Sequence, residues 1–244
     1  MSIRRTLATA RRVGQQLGHD PRTIGIVIVV PCVLVTILRY VFDGERQLFD
    51  GIAPMILGIF PLLMMFLITS IATLRERTTG TLDRLMTMPI SKLDFIFGYA
   101  LAFSVVGLVQ ACAVSLVVLG FLGVTVAGGT LPILFAAVLA AFLGTALGLF
   151  VSAFATSEFQ AVELVMPTLM PQILVCGLFV PREAMAKVLQ WCADIFPMTY
   201  SVDAMHRVAT SVAWSGTLTR DLLVVGGYGV AALVLASVTI RRKE

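Results

Sequence analysis

The sequence predicts an all-α integral membrane protein with six transmembrane helices. Of its 244 residues, 58 % are hydrophobic and only 13 % are charged, about half the charged fraction of a soluble domain. It also contains six continuous apolar runs, each near the roughly 20 residues that cross a bilayer as a helix. These runs are residues 24–41, 52–74, 95–119, 131–154, 159–180 and 222–240. Because the runs are continuous rather than alternating, strands are excluded as the general architecture.

The basic residues predict the orientation in the bilayer. Twelve of the 18 lysines and arginines lie before the first run, between the second and third runs, or after the last one. Lysine and arginine accumulate in cytoplasmic loops, so both termini are predicted to be cytoplasmic. The net charge of +4 then reflects topology, and it indicates a lipid bilayer rather than a nucleic acid as partner.

Residues 1–20 are predicted to form an interfacial helix lying on the membrane. One face of this helix carries a narrow apolar stripe, and its arginines lie on the other faces. This pattern is typical of a helix bound to an anionic leaflet. The stripe consists of Ile3, Leu7, Ala10, Gly14 and Leu17. A disordered basic leader is the alternative. Pro21 is expected to end the helix before the first span.

A charged segment at residues 75–90 separates the second and third runs. Within it, Leu82, Leu85, Met86 and Pro89 share one face of a short helix, while Asp83 and Arg84 point away. Because two helical turns are unstable alone in water, the segment is predicted to dock against another surface on the cytoplasmic side.

The fourth run carries small residues at every fourth position, a pattern that lets another helix approach closely. These are Ala140, Gly144, Gly148 and Ser152. The pattern suits packing within one subunit or pairing between two. In the fifth run, Gln160, Glu163, Pro167 and Pro171 share a face. An ionisable group inside a bilayer usually faces protein or a wet cavity, although Glu163 is near enough to the cytoplasmic end to reach water.

Two short amphipathic helices dipping into the outer leaflet are predicted within residues 181–213. The first presents an apolar face formed by Met185, Val188, Leu189, Cys192, Ile195 and Phe196, and Pro197 interrupts it. The second runs from about Thr199 to Val208. Each is too short to cross the membrane. A small extracellular cap is the alternative.

Several kinds of chemistry are missing from the sequence. It has no glycine-rich phosphate loop around a lysine, so ATP binding and an enzymatic role are not expected for this chain. Its four cysteines and two histidines lack metal-ligand spacing, so no metal site or cofactor is expected. A membrane-embedded enzyme needs converging catalytic groups, and an ion-coupled secondary carrier is typically marked by internal repeats and buried titratable groups. Neither pattern is seen.

Three stretches in register with the predicted spans resemble one family. They are Glu76 with residues 80–85, Pro89 and 95–102; residues 157–160 leading through Pro167 and Pro171 to 177–181; and residues 189–191 with 196–200 and Ala204. Together they resemble ABC-2 type transporter permeases, most closely those of the drug and antibiotic exporter branch.

The resemblance implies one transmembrane domain over residues 1–244, with an interfacial helix at 1–20, a cytoplasmic coupling helix in loop 75–90 and two re-entrant helices in 181–213. The coupling helix would dock on a separate ATP-binding subunit, which would hold ATP and magnesium. The docking residues would be Glu76, Gly80, Thr81, Leu82, Asp83, Arg84, Leu85, Met86 and Pro89. A second permease subunit, identical or related, would complete an exporter in a prokaryotic cytoplasmic membrane.

Spans two and five are expected to line a translocation pathway at the subunit interface. The lining residues would be Met55, Phe60, Met64, Gln160, Glu163, Met166, Pro167, Met170 and Pro171. Four further site residues are expected in the outer re-entrant region: Pro181, Trp191, Pro197 and Tyr200. The expected substrate is an apolar or amphipathic drug, antibiotic or lipid-like molecule, with a glycolipid or polysaccharide as the alternative. An ion-coupled secondary carrier is the alternative to an ATP-driven exporter.

Overall fold

The computed structural model describes residues 3–79 and 92–239, which form helices and connecting segments with no strand among them. The first four helices are α1 (Ile3–Gly18), α2 (Pro21–Val41), α3 (Arg46–Thr78) and α4 (Lys92–Ser115, continued by a π-helix over Leu116–Phe121). They are followed by α5 (Thr130–Ser152), α6 (Glu158–Glu163) and α7 (Val165–Val175). After a 3₁₀ turn at Arg182–Ala184 come α8 (Lys187–Ile195), α9 (Pro197–Thr210) and α10 (Gly216–Thr239).

Five helices in the described part of the chain are long and apolar enough to cross a membrane: α2, α3, α4 with its extension, α5 and α10. The prediction of an α-helical integral membrane protein is therefore confirmed. The predicted fifth span is not one long helix, because α6 and α7 are joined by a break at Leu164 and bends follow at 176–180. Pro167 lies just after the break. It has no N–H to bond the carbonyl one turn earlier, which weakens the helix there.

Two other predicted boundaries are corrected. Pro21 does not end a helix but begins α2, whose Asp20 cap accepts hydrogen bonds from Thr23; proline is favoured in the first turn because that N–H is not needed. The charged segment predicted as a loop from residue 75 starts inside α3, which continues to Thr78.

The centre of the bundle is the contact between α3 and α5. A Cβ atom added at Gly144 would lie 2.1 Å from the carbonyl oxygen of Leu62, and one added at Gly148 would lie 2.5 Å from that of Phe66. Glycine is thus required at both positions for the two backbones to meet. The fourth-residue pattern of small side chains therefore serves packing within one subunit.

The two ends of the bundle differ. At one end, here named the α1 end, α1 packs on α4, where Gly98 leaves room for Thr9. Ala236 near the end of α10 belongs to the same apolar cluster as Val13 of α1, so the first and last described helices pack on one cluster at this end. The predicted stripe on α1 divides: Ala10 and Leu17 pack on this cluster, while Ile3 and Leu7 are exposed and Gly14 is too.

At the opposite end, named the hairpin end, α8 and α9 form a helical hairpin. Tyr228 donates a hydrogen bond of 2.7 Å to the carbonyl of Ile195, at the junction of the two helices. Tyr228 lies twelve residues after the start of α10, which is about 18 Å along the helix axis at 1.5 Å per residue. The junction of α8 and α9 therefore contacts the middle of α10 rather than its first turn. The other end of α9 lies beside the connection between α4 and α5, where the Gly128 N–H donates to the Val208 carbonyl at 2.8 Å. The two short helices predicted in this region are present.

Candidate coupling site and pathway surface

Arg12 links three helices at the α1 end. Its Nη2 donates to Tyr99 Oη on α4 at 2.9 Å and to Glu76 Oε2 on α3 at 3.4 Å. The Tyr99 side chain is fully buried and the Glu76 side chain is 13 % exposed. Since an unmatched polar group in such a place would cost free energy, the three side chains hold α1, α3 and α4 in a fixed relation.

The last turns of α3 are tied to the helices that come after it in the chain. Arg75 forms a bidentate ion pair with Glu158 at the start of α6, with N–O distances of 2.9 and 3.1 Å. Arg77 donates to the backbone carbonyl of Ser152, at the end of α5. Ser157 caps α6 by accepting from the Gln160 N–H at 3.1 Å. A movement of the end of α3 would therefore be passed to α1, α4, α5 and α6 together.

The contact between Arg75 and Glu158 predicts a pH-dependent contribution to stability. Hydrogen bonding from Arg75 lowers the pKa of Glu158. The pair therefore stabilises the folded state above the ordinary glutamate pKa of 4.5 and loses its effect as the pH falls through the lowered value. Because both side chains are more than half exposed, Glu158→Gln should cost only about 0.5 kcal/mol at neutral pH.

The measurement is unfolding of the purified chain in detergent over a range of pH. The gap between wild type and Glu158→Gln should close below pH 4.5. Glu163→Gln is a matched control, since it removes an exposed carboxylate that forms no ion pair with a described residue. A gap that widened at low pH would contradict the prediction.

The predicted docking residues leave the described structure just after α3. Glu76 is described, and it accepts the hydrogen bond from Arg12 given above. Gly80, Thr81, Leu82, Asp83, Arg84, Leu85, Met86 and Pro89 lie outside the described residues. The described chain stops at Thr79 and resumes at Lys92, so the segment between them is connected at one side to the linked end of α3 and at the other to α4.

The predicted pathway residues of α6 and α7 share one outward face. Met166 is 61 % exposed and Met170 is 38 % exposed, and Glu163, Pro167 and Pro171 are exposed beside them. The opposite face, which includes Val165 and Leu169, packs into the subunit. The face predicted from the spacing is therefore a single surface that the subunit itself does not cover.

The predicted pathway residues of α3 are placed differently. Met55 and Phe60 are half-buried and pack on the same apolar cluster as Val165 and Leu169, on the inner side of α7. Met64 is also half-buried. Gln160 has a local role, because its side-chain oxygen accepts from the backbone N–H and the hydroxyl of Thr156 at 2.8 and 2.7 Å. The nine predicted residues therefore do not form one surface within a single subunit.

The sequence matches a known family. Residues 4–209, most of the chain, match the family described as ABC-2 type transporter. The chain belongs to the ABC-2 type transporter family. This confirms the resemblance noted in the sequence and identifies a membrane component of an ABC transporter rather than its ATPase.

The ABC-2 chain is also similar to individual proteins. It is 28 % identical over 200 residues to inner membrane transport permease YhhJ of Escherichia coli, covering 80 % of the chain and 52 % of the relative. It is 25 % identical over 189 residues to the probable multidrug ABC transporter permease YbhR of Escherichia coli, covering 75 % and 51 %. For ABC transporter G family member 20 of Dictyostelium discoideum, identity is 26 % over 174 residues, covering 71 % and 24 %. The chain thus spans about half the length of the two bacterial relatives.

The hairpin end of the ABC-2 chain carries a second polar network. Arg182 contacts Asp203 on α9 at 2.6 Å and also bonds Asp194 on α8. The Asp203 side chain is only 23 % exposed, so Arg182 supplies the positive charge that this sheltered carboxylate needs. Of the predicted outer residues, Pro197 is buried at the start of α9 and Tyr200 donates to the Asp194 carbonyl at 2.7 Å, whereas Pro181 and Trp191 are exposed.

Sequence reasoning missed most of the residues that hold these two networks together. Arg12 lies 87 positions from Tyr99, and Arg75 lies 83 positions from Glu158. No helical or strand spacing connects residues so far apart. The only available signal was local: both Glu76 and Glu158 belong to the short stretches that resemble ABC-2 permeases.

Proposed function

We propose that the chain is the membrane-spanning subunit of an ATP-driven exporter in a prokaryotic cytoplasmic membrane. It pairs with a separate ATP-binding subunit, which holds ATP and magnesium, and with a second permease subunit, identical or related. The exporter moves an apolar or amphipathic substrate such as a drug, an antibiotic or a lipid-like molecule. The proposal depends most on one observation: the end of α3, from which residues 80–91 continue, is bonded to three other parts of a bundle of the ABC-2 family.

The distribution of basic residues supports a cytoplasmic α1 end. The arginines of α1, Arg22 at the start of α2, and Arg75 and Arg77 all lie there. Basic residues favour the cytoplasmic side of a membrane. Val13 of α1 and Ala236 near the end of α10 pack in one apolar cluster at this end, so we assign both termini to the cytoplasm.

The consecutive helices α6 and α7 are proposed as the sixth crossing. The pair begins at Glu158, bonded to Arg75 at the α1 end. Near its other end, the Gln172 side-chain oxygen accepts from the Met198 N–H at 3.3 Å, beside the deep junction of the hairpin. Residues 158–175 would span about 27 Å if fully helical, and the bends after them continue toward the hairpin end.

The short helices complete the proposed membrane arrangement. In this view α1 lies along the cytoplasmic surface, with Ile3 and Leu7 facing lipid, because both are exposed in the bundle. The hairpin of α8 and α9 enters from the outer side and returns to it. Its apolar side chains Val188 and Ile195 are about two-thirds exposed, as is expected for groups that face hydrocarbon.

The coupling step depends on these connections. The apolar face of residues 82–89 would bind a groove on the ATP-binding subunit, a helix-in-groove mode of recognition. When two such subunits close on ATP, they would displace the docked segments and the ends of α3. Nucleotide binding can drive transport only if it favours one arrangement of the bundle over another. A displacement of the end of α3 would move α1 through the hydrogen bonds of Arg12 and would move α6 through those of Arg75.

The substrate pathway is proposed at the uncovered face of α7, where two permease subunits would meet. Met166 and Met170 are exposed there. Methionine is flexible and polarizable, so a surface rich in it can adapt to varied apolar ligands. The same face carries Glu163, which would provide a polar contact near the cytoplasmic end of the pathway.

The docking step is tested by co-purification with the ATP-binding subunit. The double variant Leu82→Asp/Leu85→Asp places two charges on the apolar face, so we expect at least a hundredfold weaker retention of the ATPase, since each buried leucine contributes roughly 1.5–3 kcal/mol. Thr87→Asp is a matched control, because the helical spacing of the sequence predicts Thr87 to lie away from Leu82 and Leu85, and this variant should co-purify normally. Full retention by the double variant would refute the docking assignment.

A further inference from the structure

A cavity of about 490 Å³ opens at the α1 end between α1, α3 and α4. Its floor is apolar: Val13 and Phe103 are fully buried, and Ile68, Ile71 and Ala72 are half-buried. This volume lies within the range of small-molecule sites. The cavity is separate from the outward face of α7 to which the pathway was assigned.

The rim of the cavity is acidic. Among the described residues that line it, Asp20, Glu76 and Glu158 carry carboxylates and Arg75 carries the one guanidinium. Glu158 is engaged by Arg75, and Glu76 by Arg12. Asp20 forms no ion pair with a described residue. It accepts hydrogen bonds from the Thr23 N–H at 3.2 Å and the Thr23 hydroxyl at 2.6 Å.

Of the three carboxylates, Asp20 is therefore the one without an ion pair to a described residue, and the more distant charge of Arg75 also acts on it. Hydrogen bonds from Thr23 lower its pKa, so Asp20 is ionised at neutral pH. It is half-buried and lies at the turn between α1 and α2, above the apolar floor. An anion would meet the excess of carboxylates at the rim, and an uncharged apolar molecule would leave Asp20 unused.

From this combination we infer that the cavity binds amphipathic organic cations, with the apolar body on the floor and the positive centre beside Asp20. The binding step requires only this chain. Export of the bound cation rests on the proposed function, since the α1 end is the side from which an exporter would take its substrate. The inference therefore narrows the apolar or amphipathic substrates of the proposed function to those that carry a positive charge.

The test compares two ions of nearly equal size and opposite charge. Tetraphenylphosphonium and tetraphenylborate are each equilibrated by dialysis with the full chain purified in detergent. We expect Asp20→Asn to weaken binding of the phosphonium about tenfold, because it removes one nearby charge. Asparagine is as good a helix cap as aspartate, so the start of α2 is kept. Binding of the borate should be unchanged or stronger.

Two further variants keep the test decisive. Asp43→Asn removes an exposed carboxylate near the far end of α2 and should bind the phosphonium as wild type does. Ala72→Phe fills the floor while keeping Asp20, and should also lose at least tenfold in phosphonium affinity. Wild-type affinity in either Asp20→Asn or Ala72→Phe, or no phosphonium binding by the wild-type chain, overturns the inference.

The outcome can be separated from that of the proposed function. If the phosphonium results fail while the ATPase is still retained and then lost on Leu82→Asp/Leu85→Asp, only the cavity assignment is wrong. If no ATP-binding subunit is retained but the charge-dependent binding is found, the cavity stands and the exporter assignment fails.

Discussion

Gly144→Ala should destabilise the bundle by about 1–3 kcal/mol, the usual range for overpacking. The single added carbon would lie 2.1 Å from the Leu62 carbonyl oxygen. That oxygen belongs to the backbone of α3, so the clash cannot be relieved by turning a side chain, and α3 and α5 must separate. The measurement is the free energy of unfolding, or the denaturant midpoint, of the chain in detergent.

Gly227→Ala is the matched control. Gly227 lies in α10, and an added Cβ there has no neighbouring atom within 4 Å. Because alanine favours helix over glycine by up to about 1 kcal/mol, this variant should be neutral or slightly more stable. Equal effects at the two positions would show that the contact of α3 with α5 is not as close as the structure has it.

Arg207→Met should have a comparable effect at the hairpin end. Arg207 Nε donates to Asp221 Oδ2 at 2.8 Å, and the Asp221 side chain is only 5 % exposed. Removing one partner leaves a nearly buried carboxylate without its cation, which typically costs about 3–5 kcal/mol. Since Arg207 is itself 42 % exposed, solvent reduces that figure, and a loss of about 2 kcal/mol is expected.

The double variant Arg207→Met/Asp221→Asn should recover most of the loss, because the nearly buried side chain at position 221 is then uncharged. Arg220→Met is the matched control. Arg220 stacks over the Tyr200 ring at 5.9 Å and acts on Asp221 through its charge without a hydrogen bond, so losing it should cost only about 0.5–1 kcal/mol. If Arg207→Met were as mild as Arg220→Met, or if the double variant were no more stable than Arg207→Met alone, the interpretation of this ion pair would be wrong.

The sequence predicted the long helices well because hydropathy and length decide them. Residues 24–41 and 131–154 were expected to cross the membrane, and α2 and α5 cover these ranges within a few residues. The small residues at Gly144 and Gly148 indicated a close helix approach, and the structure supplies the partner, α3. Spacing alone did not identify that partner, because a small-residue face describes only one of two surfaces in contact.

The fifth run shows where such reasoning fails. Its composition is apolar throughout, but hydropathy does not register backbone hydrogen bonds, and Pro167 removes one of them. The buried face of α1 was not predictable for a different reason. Thr6 and Thr9 are buried although they are polar, since Gly98 of α4 leaves a gap that Thr9 fits. Only the contact with α4 determines this orientation.

The shared position of α1 and the end of α10 has a consequence for how the chain is threaded. If both termini lie in the cytoplasm, as proposed, the chain must cross the membrane an even number of times. In the proposed arrangement the hairpin of α8 and α9 does not change this number, because it enters and leaves the membrane at the same surface. The five long helices of the described residues give an odd total, so under the proposed topology the pair α6 and α7 would supply the sixth crossing despite its break at Leu164, and deleting that pair would leave α10 in the opposite orientation.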